Sequence, residues 1–199
     1  MHLSAAAMVV LALAVGGCSS SDSSQPQAAP SSSATGTGGG ERPVATKIVL
    51  GRVAGDVHQP NKRRFKKHRK AVLKGVGRAV DSWLDGAFVG VSYPRGSFKS
   101  AFAAFTKPAE RDARRQPKLM TNWGLRKKID GVEVKKRRVA VDVFAPHGRP
   151  AGATARVALV FRTTGHTKKR VAVHARLFLN PGGHGHWRIF GYDVARGDR

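Results

Sequence analysis

The chain has 199 residues, with 36 Lys or Arg against 12 Asp or Glu, a formal charge of +24 with His neutral. Its one cysteine, Cys18, excludes an intramolecular disulfide and a metal site built on several thiolates. Any folded part must therefore be held by its own apolar core, for which about 150 residues are enough.

Composition changes sharply near residue 46. Met1 to Thr46 hold one basic residue, Arg42, and two acidic ones, Asp22 and Glu41, which leaves 35 basic and 10 acidic residues from Lys47 to Arg199. This second part alone carries about +25 with His neutral. Such a charge attracts polyanions, whether anionic lipid head groups, phosphate-rich wall polymers or nucleic acid; a merely solvated basic surface would have the same composition.

Residues Leu3 to Gly17 are apolar or small except for Ser4. The strongly apolar part, Ala5 to Val15, has the length of a signal-peptide h-region and falls short of the roughly 20 residues of a membrane-spanning helix. Val15-Gly16-Gly17-Cys18 resembles the lipobox of bacterial lipoproteins: an aliphatic residue, two small residues, then Cys. Val15 stands where Leu is commoner, and His2 is the only ionisable side chain ahead of the apolar run. The resemblance implies a signal peptide over 1–17 and lipidation of Cys18, which would become the first residue of the mature chain. It also implies a position on the extracytoplasmic face of the cell membrane, anchored by that lipid.

Residues 18–46 are rich in Ser, Gly, Ala, Pro and Thr. Such a segment buries too little apolar area to offset its ordering entropy, so a flexible, disordered tether is expected. Roughly 28 residues of this kind have an r.m.s. span on the order of 30 Å.

One basic α+β domain is expected over 47–199. Lys47 to Val53 reads as a short strand or extended lead-in, and Asn61 as a helix N-cap. From Lys62 to about Val89 one long helix is expected, because Phe65, Val72, Val76, Val80, Trp83 and Ala87 fall on one face. Its charge runs backwards. Seven of the nine residues Lys62 to Lys70 are Lys or Arg, while Asp81 and Asp85 sit near the C-terminal end. The macrodipole favours the reverse. Either an anionic partner placed those cations or they form a frayed, solvated run ahead of the helix. The candidate anion-binding residues are Lys62, Arg63, Arg64, Lys66, Lys67, Arg69 and Lys70.

Short helices follow. Ser97 can cap one that turns Phe98, Ala101, Phe102 and Phe105 inward, and a second runs from Thr106-Lys107-Pro108 to about Gln116. Leu119, Met120 and Trp123 suit an irregular stretch or short helix. From Ile129 the period becomes two. Val139, Val141 and Val143 alternate with Ala140, Asp142 and Phe144; Ala155 to Phe161 and Val171 to Leu179 alternate likewise, and Trp187 to Val194 closes the series. The expectation is an antiparallel sheet of about four strands with the helices packed on one face. The order of elements and the final Trp-Arg-Ile-Phe-Gly-Tyr-Asp-Val resemble the cone-like α+β rolls of the nuclear-transport-factor-like and cystatin-like groups, including uncharacterised exported proteins of high-GC Gram-positive bacteria. That resemblance is one of fold and carries no function of its own.

Chemical motifs are sparse. Acid–base work in the cone group uses acids and tyrosines at the mouth between sheet and helix, and the candidates are Asp142, Asp193, Tyr93 and Tyr192. Tyr192 and Asp193 are strand neighbours and point to opposite faces. His184-Gly185-His186 supplies two imidazoles where a stable metal site needs three or four ligands. Phosphate-loop, nucleophile-elbow and zincin patterns are missing from the sequence. No cofactor or metal is expected, and export argues against nucleic acid. Trp83, Trp123 and Trp187 either line a pocket for an apolar ligand or fill the core. Further basic clusters stand at Arg126–Lys128, Lys135–Arg138 and Lys168–Arg170; a polyanion surface needs its cations on one face, and an even scatter counts against it. The leading expectation is a membrane-anchored lipoprotein with a non-catalytic binding or scaffold domain that contacts anionic lipid or wall polymer. The alternative is a cone-fold isomerase or hydrolase with a pocket Asp and Tyr.

Overall fold

The structure, a computed structural model, describes residues 45–55, 62–90 and 92–198. The expected signal peptide, Cys18, the tether up to Val44 and the Asn61 cap lie outside the described residues. Those described fall within one compact unit, Glu41–Arg199. It is an α+β arrangement: a five-stranded, mostly antiparallel open sheet with a few helices. The strands are β1 (Lys47–Ala54), β2 (Gly131–Phe144), β3 (Gly152–Thr164), β4 (Arg170–Pro181) and β5 (Trp187–Asp198), in that spatial order. The helices are α1 (Lys62–Lys66), α2 (Arg69–Leu84), α3 (Lys107–Arg115) and α4 (Pro117–Met120).

The four antiparallel strands stand where the two-residue period puts them, since alternation is what a sheet with one packed and one wet face requires. On β3, Ala153, Ala155, Val157, Leu159 and Phe161 are buried. On β4, Val171, Val173, Ala175, Leu177 and Leu179 are buried. Among the described residues there are five strands rather than about four. β1 pairs parallel with β2, from Lys47 opposite Arg138 to Ala54 opposite Phe144. Parallel neighbours need a long crossover, and the helical region between β1 and β2 supplies it.

The single long helix expected over Lys62–Val89 is corrected. A turn at Lys67–His68 separates α1 from α2, and α2 passes into a π-helical turn over Asp85–Val89. The break has a physical cause. Like charges at i and i+4 recur through the run (Arg63 with Lys67, Lys66 with Lys70), and each such pair disfavours helix by a few tenths of a kcal/mol. Phe65, 2% exposed, keeps α1 on the core despite them.

α2 covers the sheet with Val72, Val76, Val80, Trp83 and Leu84. Two interior glycines let it lie close. A Cβ on Gly75 would collide with Cδ1 of Trp187 on β5, and one on Gly77 with Cδ1 of Ile48 on β1. Each glycine costs about 1 kcal/mol of helix propensity against alanine. Bringing the Trp187 ring onto the helix offsets this, because a buried aromatic contributes roughly 2–3 kcal/mol. The interior is filled with side chains: Trp83 meets Phe88 edge-on at 5.4 Å, and Phe88 meets Phe161 at 6.3 Å.

Ser97 accepts a bond from the backbone N–H of Lys99 at 3.3 Å and starts a 3-10 turn over Lys99–Phe102. Pro108 lies in the first turn of α3, where its missing N–H goes unused. Pro117 opens α4. The edge of β5 is covered locally, with Thr106 N–H donating to Ile189 O (2.8 Å) and Ile189 N–H to Ala104 O (2.9 Å).

Candidate anion-binding surface

The reversed charge of α2 has two different consequences. At its C-terminal end, Asp81 and Asp85 lie one turn apart on the face towards β2. There they receive Arg137: Nη2 to Asp81 Oδ1 is 2.6 Å and Nη1 to Asp85 Oδ1 is 2.5 Å. The Arg137 side chain is only 5% exposed, against 35% and 57% for the two acids. Thr46 Oγ1 donates to the same Asp81 oxygen at 2.6 Å, so β1, α2 and β2 meet there. Burial alone would lower the pKa of Arg137, but the two carboxylates, Asp85 ahead of Asp81, hold it above its ordinary value. The acids are therefore spent on one buried cation.

The N-terminal cations have no such use. Arg63, Arg64, Lys66, Lys67, Arg69 and Lys70 are all exposed, and among the described residues none of them has an ion-pair partner. Lys62 is the first residue of α1. α1 packs on the short turn Pro146–Gly148 between β2 and β3, where a Cβ on Gly148 would strike Cβ of Arg64. The cluster thus sits at the end of the sheet where β1 and β2 finish.

The other basic clusters do not join it. Strand register separates them: Phe144 pairs with Gly152 at the α1 end, whereas Gly131 pairs with Thr164 and Arg162 with Arg170 at the far end. A strand as long as β2 spans on the order of 40 Å. Arg126–Lys128 and Lys168–Arg170 belong to the far end, where Thr167 N–H bonds Lys128 O at 2.9 Å. Between the ends, Lys135 pairs with Glu133 at 2.8 Å and Arg137 is buried. Two of the basic clusters thus lie at the far end and one at the α1 end, while exposed Lys136, Arg138, Arg156 and Arg176 run along the sheet between them, so the cations are not gathered on one face.

The expected acid–base residues are dispersed. Asp142 lies on the outer face of the sheet, with Oδ2 3.2 Å from Arg156 Nε and Oδ1 accepting the Arg52 backbone N–H at 2.7 Å. It clamps a β-bulge, because Gly51 and Arg52 both stand opposite it, and a Cβ on Gly51 would collide with its carboxylate. Asp193 pairs with Arg176 on the outer face, while Tyr192 pairs with Leu177 on the inner one. Gln116 Nε2 donates to Tyr192 Oη at 3.2 Å, and burial with the charge of Asp112 raises that phenol. Tyr93 donates to Phe88 O (2.9 Å) and accepts from Asn122 Nδ2 (3.0 Å); burial raises its pKa as well. His184 and His186 are exposed, and no group of three or more His, Cys, Asp or Glu able to hold a metal occurs among the described residues.

Sequence reasoning passed over Asn122. It is fully buried, its backbone N–H donates to Ala87 O (2.9 Å) and its Nδ2 also donates to Phe88 O (2.9 Å). It thereby satisfies two carbonyls left open where the π turn ends. A lone Asn beside Thr121 and Trp123 carries no periodic signal that would reveal this. Trp83 is buried and donates to Met120 O at 3.2 Å, Trp187 is 6% exposed, and Trp123 lies under the Arg126 guanidinium at 3.6 Å. They occupy separate parts of the packing and do not line one pocket.

Comparison with models of known families, with curated proteins and with solved structures found no match. Among the described residues, no helix is long and apolar enough to cross a membrane.

Proposed function

We propose that this chain is an exported lipoprotein, held to the extracytoplasmic face of a membrane by lipid on Cys18, whose basic domain is a non-catalytic module for an anionic surface. Lipid head groups and wall polyanions share the chemistry that would be recognised: closely spaced anionic phosphates. The observation that carries this reading is the row of six exposed cations from Arg63 to Lys70, which have no acid partner among the described residues and are set against the helix dipole. A charge arrangement that opposes both helix formation and compactness is accounted for by a ligand outside the fold.

A lipid anchor and a basic patch act together. Two acyl chains hold the chain to the bilayer, and each cation near an anionic surface adds about 1 kcal/mol at most. The tether expected over 18–46 is long enough to let the domain reach the surface it is tied to. The cone-like roll belongs to the same proposal, as the closer architecture that the order of elements suggests. The isomerase or hydrolase reading stands second, because Asp142 and Tyr93 are occupied by bonds that hold a bulge and a turn.

Mass spectrometry of the native protein from a membrane fraction tests the anchor. A diacylglyceryl mass on an N-terminal Cys18 is expected, and an unmodified, freely secreted chain overturns it. Vesicle sedimentation tests the surface. Binding to anionic vesicles that weakens as salt rises is expected, and equal binding to neutral vesicles sinks it.

A further inference from the structure

The outer face of the sheet is polar for most of its length, with Arg138, Arg156, Arg162 and Arg176 exposed along it. At the α1 end it changes character. Phe144, Phe178 and Phe190, from β2, β4 and β5, are 53%, 37% and 53% exposed. They flank a shallow groove of about 590 Å³ floored by Gly152 and Thr154. Two of the rings are positioned by backbone devices. Ile189 pairs with Leu179 and Gly191 with Phe178, so Phe190 is the extra residue of a β-bulge, turned out beside Phe178 with ring centroids 6.4 Å apart. Gly191 gives Phe178 room, since a Cβ there would stand 3.3 Å from its Cδ2. Three phenyl rings held outward are costly to leave in water, and an apolar patch of this kind marks an interaction surface.

The cations are next to it. The loop over residues 145–151 has the rings on one side, with Phe144 and Ala151 lining the groove, and α1 on the other, packed on Pro146–Gly148. Exposed Arg149 lies in the loop itself. Asp142, the carboxylate lining the groove, is neutralised by Arg156. Rings that partition into an interface, together with exposed cations at the same end that have no ion-pair partner among the described residues, match an anionic bilayer: hydrocarbon just below a plane of phosphates.

We propose that this end of the sheet is the face the domain lays on an anionic lipid bilayer, with Phe144, Phe178 and Phe190 entering the head-group boundary and the cations of α1 meeting phosphates. This rests on the surface-binding reading above and narrows its ligand to lipid, because a hydrated wall polymer offers nothing apolar for the rings. Cys18 places the lipid within reach, as the expected tether joins Lys47 to the bilayer over a span on the order of 30 Å.

The test uses the full chain carrying Cys18→Ser, so that no acyl chain contributes, with vesicles of phosphatidylglycerol and phosphatidylcholine or of phosphatidylcholine alone. Replacing Phe144, Phe178 and Phe190 by Ser should weaken binding to the anionic vesicles about tenfold or more while leaving its salt dependence unchanged. A thermal melt matching the parent shows that the substituted fold is intact. In a second variant, Phe190→Trp, emission in excess of the parent's Trp83, Trp123 and Trp187 background should shift to the blue on anionic vesicles only, which reads ring insertion. Unchanged affinity of the Ser variant together with an unshifted Trp overturns the inference but leaves surface binding by cations standing. A parent that does not prefer anionic vesicles removes both. A dimer that the Ser substitutions dissolve, with vesicle affinity unchanged, assigns the rings to a second copy and also overturns the inference.

Discussion

The two ends of α2 carry the same reversed polarity and resolve it in opposite ways. At the C-terminal end the acids are matched by Arg137, which is buried between them at 2.5–2.6 Å. At the N-terminal end Arg63, Arg64, Lys66, Lys67, Arg69 and Lys70 remain exposed and unmatched among the described residues. Charge that opposes a helix is therefore not one signal. When a counter-ion lies within the fold, it ties elements together; where none stands among the described residues, the charge is left facing solvent.

The comparison breaks most visibly at Arg137. Asp81→Asn with Asp85→Asn leaves a guanidinium buried without a carboxylate, and a loss of about 3–5 kcal/mol in denaturant unfolding is expected. A loss below about 1 kcal/mol would put this ion pair in the same class as the exposed cations. Next comes the close approach of helix and sheet. Gly75→Leu should cost about 1–3 kcal/mol through displacement of Trp187, with a red shift of tryptophan emission as that ring gains water.

Tyr93 gives a smaller effect with a pH signature. Burial raises its pKa in the fold above the ordinary value of 10.0, outweighing the hydrogen bond from Asn122 and the charges of Arg95 and Arg196. The unfolded chain gives up its phenolic proton first, so the stability Tyr93 contributes is complete below about pH 10 and is lost as pH rises through the folded-state value. Tyr93→Phe should cost about 1 kcal/mol at neutral pH, and its melts should fall less steeply than the parent's above pH 10. The smallest effect sharpens the contrast. Replacing Arg63, Arg64, Lys66 and Lys67 by Gln should change stability by no more than about 0.5 kcal/mol, with a gain if like-charge relief dominates. The same variant should lose most of its salt-sensitive vesicle binding. Large destabilisation would mean that these cations serve the fold after all.

How far the fold was legible follows from the kind of signal each part gives. β3 and β4 stood out because Val157, Leu159, Val173 and Leu177 alternate against Arg156 and His174, a pattern that the wet and dry faces of a sheet impose directly. The helix break at Lys67–His68 did not stand out, because the apolar stripe continues through it; only the repulsion within the cationic run marks it. The partner of β1 was hidden as well, since parallel pairing with β2 depends on a crossover that no local pattern encodes. The aromatic end of the outer face was half visible. Phe144 and Phe178 lie on the polar alternation of their strands, yet Phe190 reaches them only through a bulge. Asn122 was invisible because its value lies in two carbonyls contributed by a distant turn.

One feature of β1 bears on how the fold would behave under tension. Any pull on the chain ahead of Thr46 enters at Lys47, the first residue of a strand that pairs with β2 at six positions running to Ala54. A pull along the strand loads those pairs together in shear, instead of opening them one by one as a zipper would. Thr46, bonded to the Asp81 carboxylate that also holds Arg137, grips just ahead of the first pair. The start of β1 is thus mechanically a firm point of the domain, which would resist a load applied through the chain ahead of it.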